Sequence, residues 1–398
     1  MQKDDKISYP IKVNILKQYR SLATPYYLCE EELLEKNLKV LDYVQKESGA
    51  KIILALKGFA MWSTFDLVSR HLGGCTASGL YEARLAREEF CKWKPHAEVH
   101  TYSPAFREDE IEEIARISDH IVFNSPNQLN RFICKVKEIN PKIEVSLRVN
   151  PEVSSSPVAL YNPCGLYSRL GATVENFDKN LLKKLDGFNF HALCEQNVDA
   201  LEEVLESFDK KFSKYCKNLK YINFGGGHHI SKKGYDLEKL IWIIKEFKKK
   251  HNDIEVYLEP GEAVGLETGY LVSTVLDTFK NGMNIAILDI SAEAHMPDTL
   301  AMPYRAEVRG AGKAGEKKYT YRLGGNSCLA GDIMGDYSFD KPLKIGDKII
   351  FEDQIHYTFV KNTTFNGIKL PSLAIKRKNG MIELIKEFGY EDYRDRLS

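Results

Sequence analysis

The chain of 398 residues lacks the features that would place it outside the cell or in a membrane. Its eight cysteines form no C-x-x-C pair and follow no regular spacing, which argues against a disulfide framework or a cysteine zinc site and favours reduced thiols. No apolar run approaches membrane-spanning length, and Gln-Lys-Asp-Asp-Lys after Met1 is too polar for a signal peptide. These absences predict a cytoplasmic protein without a membrane partner.

An excess of charge is missing as well. The 56 basic and 56 acidic residues balance to a formal charge of zero. Nothing in this balance suggests nucleic acid or a membrane surface as a partner. Specificity must therefore come from a local site.

Alternating strand-like and helix-like segments dominate the first two thirds of the chain. Short apolar stretches begin near Lys51, Cys75, Glu98, His120, Ile143, Phe188, Tyr221 and Glu255. Strand-helix units in this number and length predict an α/β fold of the (β/α)8 barrel type, with an open doubly wound sheet as the alternative. We assign residues 25–262 to this barrel and expect the chemistry at the carboxyl ends of its strands.

After Gly261 the pattern changes to short β-type segments separated by Gly, Asn, Asp and Pro. Helical periodicity returns only at 381–388. We therefore predict a second, mostly β domain formed by residues 1–24 and 263–398. Its expected strands are 271–279, 284–290, 304–308, 318–323, 348–351 and 357–360.

One lysine follows directly on a buried strand. Residues 51–57 (Lys-Ile-Ile-Leu-Ala-Leu-Lys) are typical of a strand that is buried on both faces, so that Lys57 would lie at its carboxyl end. A partly desolvated lysine loses proton affinity, and its neutral amine can form an imine with an aldehyde such as pyridoxal 5'-phosphate (PLP). From this heptapeptide alone, a surface lysine that closes a strand is the preferred interpretation.

Two later strand ends carry groups suited to a flat, phosphorylated cofactor. Residues 222–227 (Ile-Asn-Phe-Gly-Gly-Gly) lead from a strand into a loop whose backbone N–H groups can approach a phosphate closely. Residues 257–261 (Tyr-Leu-Glu-Pro-Gly) end the next strand on Glu259, a carboxylate that could keep a pyridine nitrogen protonated. Taken alone, glycine runs mark ordinary turns, and a carboxylate such as Glu259 is more often a solvated strand end.

Histidines supply further candidates. His191 ends residues 187–191 (Gly-Phe-Asn-Phe-His) and is either a core histidine bonded to a backbone carbonyl or an imidazole lying on a flat cofactor. His228 and His229 follow the glycines and suggest a metal, but the chain offers no third ligand in a helical or strand register. We therefore predict no metal site.

Together these motifs resemble those of the fold-type III PLP-dependent decarboxylases, a family that includes the diaminopimelate, ornithine and biosynthetic arginine decarboxylases. The motifs occur in the family's order and extend over nearly the whole chain. They are Ala55-Leu-Lys57-Gly-Phe, Ala77-Ser78-Gly79-Leu-Tyr-Glu82, Phe190-His191, Phe224-Gly-Gly-Gly227, Glu259-Pro-Gly261, Gly325-Asn-Ser-Cys328-Leu-Ala-Gly-Asp332 and Tyr357.

The resemblance implies a PLP site in the barrel. Lys57 would bind the cofactor covalently, His191 would stack on its ring, and Glu259 would hold the ring nitrogen. The phosphate and the remaining pocket would be contacted by the other family positions. These are Ser78, Arg148, Gly225, Gly226, Gly227, Gly261 and, in the second domain, Tyr357.

The same resemblance implies a homodimer. In the family, the motif that contains Cys328 and Asp332 reaches into the active site of the neighbouring subunit. Cys328 would then be a catalytic residue that supports proton return to the substrate's α-carbon, and Asp332 would contact the substrate. Two shared sites per dimer follow from this arrangement.

Departures from the family pattern indicate the substrate. Where diaminopimelate decarboxylases have Glu-Ser after the cysteine and Arg after Glu-Pro-Gly, this chain has Leu329-Ala330 and Glu262. Residues 296–303 also lack the family's arginine. Fewer cations and an added carboxylate disfavour a second substrate carboxylate and favour a polycation. Glu262 and Asp298 are candidates for pairing with its amines, with solvated loop carboxylates as the alternative.

The resemblance is strongest to the branch of the family that acts on carboxynorspermidine and carboxyspermidine, which implies a role in polyamine biosynthesis. One alternative is a decarboxylase of the same family acting on diaminopimelate or arginine. Another is a non-catalytic, PLP-binding regulatory homologue. The presence of Lys57, Cys328 and Asp332 weakens this last alternative, because a silent relative would be free to lose them.

Overall fold

The structure is a computed structural model that describes residues 22–156, 158–302 and 304–398. It divides into two compact units: a barrel unit, Glu31–Thr268 with Ile355–Val360, and a sheet unit, Gly269–Gln354 and Lys361–Ser398 with residues 22–30. The first described strand, β1 (Tyr26–Glu30), belongs to the sheet unit. Within the described residues, no helix combines the length and apolar character needed to span a bilayer.

A parallel sheet of nine strands forms the centre of the barrel unit, in the order β2-β10-β9-β8-β7-β6-β5-β4-β3. The strands are β2 (Lys51–Ile52), β3 (Leu54–Ala55), β4 (Gly74–Ala77), β5 (Glu98–Tyr102), β6 (His120–Phe123), β7 (Glu144–Arg148), β8 (Gly187–Asn189), β9 (Tyr221–Asn223) and β10 (Glu255–Leu258).

The two ends of this sheet meet in one segment of chain. Only Ile53 separates β2 from β3, and β2 pairs with β10 whereas β3 pairs with β4. The segment 51–55 therefore joins both edges and closes the sheet into a barrel, which leaves no exposed edge. The predicted (β/α)8 class is confirmed, and the open doubly wound sheet is excluded.

Helices connect most of the barrel strands. Pro126–Ile139 shows why they form: Ser125 caps its first turn by accepting a hydrogen bond from the Gln128 N–H group, Pro126 occupies the first turn, and the apolar face is buried. The α-helices are Glu31–Ser48, Phe65–Val68, Leu80–Leu85, Ile111–Ile117, Pro126–Ile139, Val198–Phe212, Leu237–Lys250, Glu262–Gly265 and Tyr357–Val360. A π-helix covers Ala86–Phe90, and 3₁₀ helices cover Trp62–Thr64, Ala159–Tyr161, Lys179–Lys184 and Ser213–Asn218.

The sheet unit contains a second sheet of nine strands, ordered β13-β15-β14-β12-β11-β1-β17-β18, with β16 paired to β11. Its strands are β1, β11 (Gly269–Asn281), β12 (Met283–Leu288), β13 (Gly312–Lys313), β14 (Tyr319–Gly324), β15 (Ile333–Phe339), β16 (Lys348–Glu352), β17 (Ser372–Lys376) and β18 (Ile382–Lys386). Short helices cover Ala292–His295, Asp298–Ala301, Phe365–Gly367 and Tyr390–Arg394.

Several local predictions for this region were wrong. The segment at 381–388, expected to be helical, contains strand β18 because it pairs antiparallel with β17. The segment 304–308 forms no named strand, and Val308 makes only an isolated bridge to Phe351. Strand β1 was assigned to the barrel domain, yet its partners are β11 and β17 of the second sheet. Long-range pairing, which local sequence does not reveal, decides each case. The expected arm at 1–24 lies outside the described residues up to position 21.

Candidate active site

The position of Lys57 follows from the hydrogen bonds around the end of β3. The Ala55 N–H group donates to the Pro260 carbonyl (2.9 Å), and the Leu56 N–H group donates to the Thr76 carbonyl (3.1 Å). The segments on both sides of β3 thus fix the backbone by hydrogen bonds up to Leu56, the residue before Lys57. Burial lowers the pKa of the Lys57 ammonium, and the positive charge of Arg148 lowers it further. The sequence-based prediction of a desolvated amine at a strand end agrees with this placement.

Two glycines bring the loops after β3 and β10 into backbone contact. A side chain at Gly58 would place its Cβ 2.8 Å from the Gly261 Cα and 2.8 Å from the Glu262 N atom. At Gly261 an added Cβ would lie 2.8 Å from the Ala55 carbonyl oxygen. Because only glycine permits this approach, the segment that carries Lys57 lies directly against the Glu-Pro-Gly turn.

Glu259 is oriented by a residue that sequence reasoning missed. The Asn223 side chain, fully buried at the end of β9, donates from Nδ2 to Glu259 Oε1 (2.7 Å) and accepts at Oδ1 from the Gly225 N–H group (2.8 Å). One amide therefore fixes both the carboxylate and the start of the glycine loop. A polar residue in the apolar strand Tyr221–Asn223 was the available signal.

His191 presents a neutral imidazole next to Lys57. Its Nδ1 atom accepts a hydrogen bond from the Gly226 N–H group (3.0 Å), so the ring carries its proton on Nε2. Burial lowers the pKa of His191 well below its usual value, and the charges of Lys57 and Arg148 act in the same direction. A neutral ring held by its Nδ1 atom suits the stacking role implied by the family resemblance.

Arg148 and Ser78 also lie in the barrel unit. The buried Arg148 guanidinium at the end of β7 donates to the His191 carbonyl (3.1 Å) and lies 4.8 Å from the centre of the Tyr102 ring. The Ser78 N–H group donates to Glu82 Oε2 (2.6 Å). Burial raises the pKa of the Glu82 carboxyl and the charge of Lys57 lowers it, so this glutamate is a neighbour of the lysine that sequence reasoning left without a role.

The glycine loop is a cradle without room for side chains. An added Cβ at Gly226 would overlap the Glu259 carbonyl oxygen, and one at Gly227 would overlap the Leu193 carbonyl oxygen. Gly225 and Gly227 also have positive φ angles of 70° and 88°. A desolvated lysine, a bare loop, a carboxylate and a neutral imidazole together fit a flat phosphorylated aldehyde, which is the chemistry of PLP.

A glycine substitution can test this cradle. We expect Gly227→Ala to weaken PLP binding by about tenfold or more, because both the left-handed backbone and the overlap with Leu193 oppose the added Cβ. Gly234→Ala is the matched control, since Gly234 has a similar φ of 86° but open space around its Cβ position. It should show only the backbone cost of about 1–2 kcal/mol in stability. Equal PLP affinities in the two variants, measured by absorbance titration, would contradict the cradle.

Glu262 opens the short helix Glu262–Gly265 and faces two imidazoles. Its Oε2 atom lies 3.3 Å from His229 Nε2, and its Oε1 atom lies 4.0 Å from His356 Nδ1.

Tyr357, expected in a strand of the second domain, instead starts the helix Tyr357–Val360 of the barrel unit. The prediction of a strand at 357–360 was wrong because residues 355–360 pack with the barrel unit, and this packing outweighs their β-type composition.

Three predicted site residues belong to the sheet unit. Cys328 is exposed, and its N–H group donates to Asn366 Oδ1 (2.7 Å). Asp332 is buried and accepts backbone hydrogen bonds from Ala292 (2.5 Å) and Ser327 (3.1 Å). Both of its oxygens are thus used to shape the loop that displays Cys328.

Asp298, the third of these residues, has a partner of its own. Its Oδ1 atom lies 2.5 Å from the Lys361 ammonium within the sheet unit. A substrate amine would have to compete with that lysine. Asp298 is therefore a weaker candidate for amine binding than Glu262.

A group of possible metal ligands lies at the opposite, amino-terminal end of the barrel strands. Glu98, His100 and His120 each place one ligand atom within 4.8 Å of the others. Lys51, however, lies 2.8 Å from Glu98 Oε1 and 2.9 Å from Glu255 Oε1, so the chain itself neutralises this carboxylate. We assign the group to barrel stability, since active sites of this fold lie at the other end of the strands.

Comparisons with known proteins identify the family of this chain. A family model described as "Pyridoxal-dependent decarboxylase, C-terminal sheet domain" matches residues 27–354. The chain is 52% identical to a carboxynorspermidine/carboxyspermidine decarboxylase of Campylobacter jejuni, covering 94% of this chain and 98% of the relative. It is 45% identical to a carboxyaminopropylagmatine decarboxylase of Synechocystis, covering 97% and 98%.

A solved structure is similar over nearly the same length. Carboxynorspermidine decarboxylase of Campylobacter jejuni, crystallised with norspermidine, has a TM-score of 0.86 and 50% identity, covering 94% of this chain and 100% of that one. The chain belongs to the pyridoxal-dependent decarboxylases. It is a PLP-dependent carboxy-lyase, which confirms the family, the cofactor and the class of reaction predicted from the sequence.

Proposed function

We propose that this protein removes the α-carboxylate of carboxynorspermidine and carboxyspermidine, giving norspermidine and spermidine in polyamine biosynthesis. The observation that carries this proposal is Glu262, a carboxylate on the turn that packs against the Lys57 segment. A cationic substrate tail would neutralise it, whereas a second substrate carboxylate would be repelled. The Campylobacter jejuni relative of 52% identity bears the same activity in its name.

Bound PLP supplies a protonated pyridine ring that accepts the electrons released when carbon dioxide departs. Lys57 would attach the cofactor and later release the product. Glu259, held by Asn223, would keep the ring nitrogen protonated, and His191 would cover one face of the ring. The phosphate and pocket would be contacted by the remaining residues of the site. These are Ser78, Arg148, Gly225, Gly226, Gly227, Gly261 and Tyr357.

We further propose a homodimer with two shared sites, in which the exposed Cys328 loop of one subunit completes the site of the other. Cys328 would return a proton to the α-carbon, and Asp332 would hold the loop in shape. The eight cysteines are free thiols, which supports a reducing, cytoplasmic location. The exposed position of Cys328 in the single chain is consistent with a role at a partner subunit.

Mixed dimers test the shared site. Lys57→Ala and Cys328→Ala homodimers should each be nearly inactive, but mixing them under exchanging conditions should restore about a quarter of the wild-type activity, since half of the dimers then contain one intact site. Subunit exchange is measured independently, by native mass spectrometry of the two variants carrying tags of different mass. Failure of the two inactive variants to complement, although exchange is demonstrated, would contradict sharing of the site.

The substrate assignment is tested by measuring carbon dioxide release with purified protein and added PLP. We expect the highest kcat/KM for the two carboxylated triamines, which differ from each other by one methylene and hence by only about 1–3 kcal/mol in a pocket. Carboxyaminopropylagmatine is the second candidate, because a relative of 45% identity is named for it. Preference for diaminopimelate or arginine would overturn the proposal, and no turnover of any substrate would favour the non-catalytic alternative.

The role of Glu262 can be tested separately. Glu262→Gln should lower kcat/KM for the triamine substrates by about 10–100-fold, mainly through KM, because a charge-assisted hydrogen bond is worth about 1.5–3 kcal/mol. Glu267→Gln, which changes the next glutamate after Glu262 in the sequence, is the control. A fall in kcat at unchanged KM would instead assign Glu262 to the chemical step.

A further inference from the structure

A second carboxylate, that of Glu195, interacts electrostatically with Glu262 and has no role in the cofactor site. Glu195 is in the connection between β8 and the helix Val198–Phe212, at the end of the barrel that carries Lys57. The charge of Glu262 raises the pKa of the Glu195 carboxyl, in addition to a larger effect from the protein atoms around it. His229, His356 and Lys232 lower that pKa and are the positively charged or titratable groups that face the carboxylate. Two glutamates therefore share one polar region.

The backbone holds Glu195 in a fixed place. Its φ angle is 53°, a left-handed conformation that is uncommon for residues other than glycine. The neighbouring residue, Gln196, forms an isolated parallel β-bridge with His228. The backbone N–H group of Gln196 donates to the Gly227 carbonyl (3.1 Å). The segment is thus tied to the glycine loop of the cofactor site.

His229 supplies an independent sign that a ligand binds between these groups. Its side chain is only 8% exposed, and its Nε2 atom has no hydrogen-bond partner among the described residues and lies 3.3 Å from Glu262 Oε2. Buried polar atoms are normally satisfied by hydrogen bonds, so this nitrogen has a hydrogen-bonding position left for a ligand. Glu195, likewise, has no hydrogen bond or ion pair within the described part of the chain and remains exposed to solvent.

We propose that Glu195, Glu262 and His229 form a receptor for the two amines in the tail of the substrate, with Glu195 binding the terminal primary ammonium. Glu262 lies nearer to the reacting centre, because its backbone contacts the residue after Lys57, and so takes the inner, secondary amine. The unsatisfied Nε2 atom of His229 supplies a further hydrogen-bonding position beside Glu262. This assignment rests on the proposed function and makes Glu195 a specificity-determining residue.

A substrate analogue isolates the contact that Glu195 makes. In N4-propyl-2,4-diaminobutyrate the terminal amine of carboxynorspermidine is replaced by hydrogen, while the amino-acid head and the secondary amine remain. For the wild-type enzyme, kcat/KM should be about tenfold or more lower for the analogue than for carboxynorspermidine. Glu195→Gln should lose a similar factor with carboxynorspermidine through KM, yet lose little more with the analogue.

Glu152→Gln is the matched control. Glu152 is also a glutamate with positive φ (58°) in the barrel unit, but it is paired with Lys211 at 2.7 Å. This variant should keep the wild-type preference for carboxynorspermidine over the analogue. Glu195→Asp, which retains the charge on a shorter side chain, should recover part of the preference lost in Glu195→Gln.

The outcomes separate this inference from the proposed function. If the wild-type enzyme turns over carboxynorspermidine but Glu195→Gln loses the same factor with both substrates, Glu195 does not bind the terminal amine and the inference is wrong. If the wild-type enzyme turns over neither compound, the proposed function itself fails. A fall in kcat without a change in KM would also reject the receptor role.

Discussion

Lys57→Ala will lower decarboxylation by at least about 10⁴-fold and remove the covalently bound cofactor. Lys57 is a desolvated amine at the carboxyl end of β3, and both burial and the nearby Arg148 lower its pKa. The neutral form is therefore available at a lower pH than for a lysine in water.

The measurement combines turnover with borohydride reduction and peptide mapping. In wild-type protein, reduction should fix PLP to the peptide that contains Lys57, whereas the variant should bind PLP only reversibly. Lys51→Met is the control, since Lys51 begins the same run of chain but lies at the opposite end of the barrel strands, paired with Glu98 and Glu255. Retention of near-normal turnover in Lys57→Ala would refute the site.

Glu259→Gln will lower kcat on the order of 10²–10³-fold while PLP remains bound. The glutamine keeps the Oε1 atom that accepts from Asn223, so the geometry of the turn is preserved and only the charge is removed. Without the negative charge, the ring nitrogen loses the partner that keeps it protonated, and the electron-accepting capacity of the ring falls.

This second result is checked by steady-state kinetics together with the absorbance spectrum of the bound cofactor. Glu255→Gln provides the comparison, because Glu255 begins the same strand, β10, and pairs with Lys51 at the other end of the barrel. It should reduce stability at most, without a change in the cofactor spectrum. Wild-type kcat in Glu259→Gln would remove this carboxylate from the mechanism.

Local sequence was sufficient for the order of the barrel strands and for the residues that end them. The buried run Ile52–Ala55 is apolar because a strand inside a closed parallel sheet has no wet face, and the chain that follows it carries Lys57 to the catalytic end. The same reasoning found Glu259 and the glycine loop. It did not find Asn223 or Glu195, because their importance comes from partners distant in the chain.

The sequence by itself determined the (β/α)8 barrel, because strand periodicity is a local property of the chain, and the order of its motifs resembled that of the PLP-dependent decarboxylases, which predicted the cofactor. Only the tertiary structure decided that the segment 51–55 closes the barrel, that β1 belongs to the second sheet and that Tyr357 starts a helix of the barrel unit. These features depend on hydrogen bonds and packing between segments far apart in sequence. Such contacts form only when the fold brings the segments together.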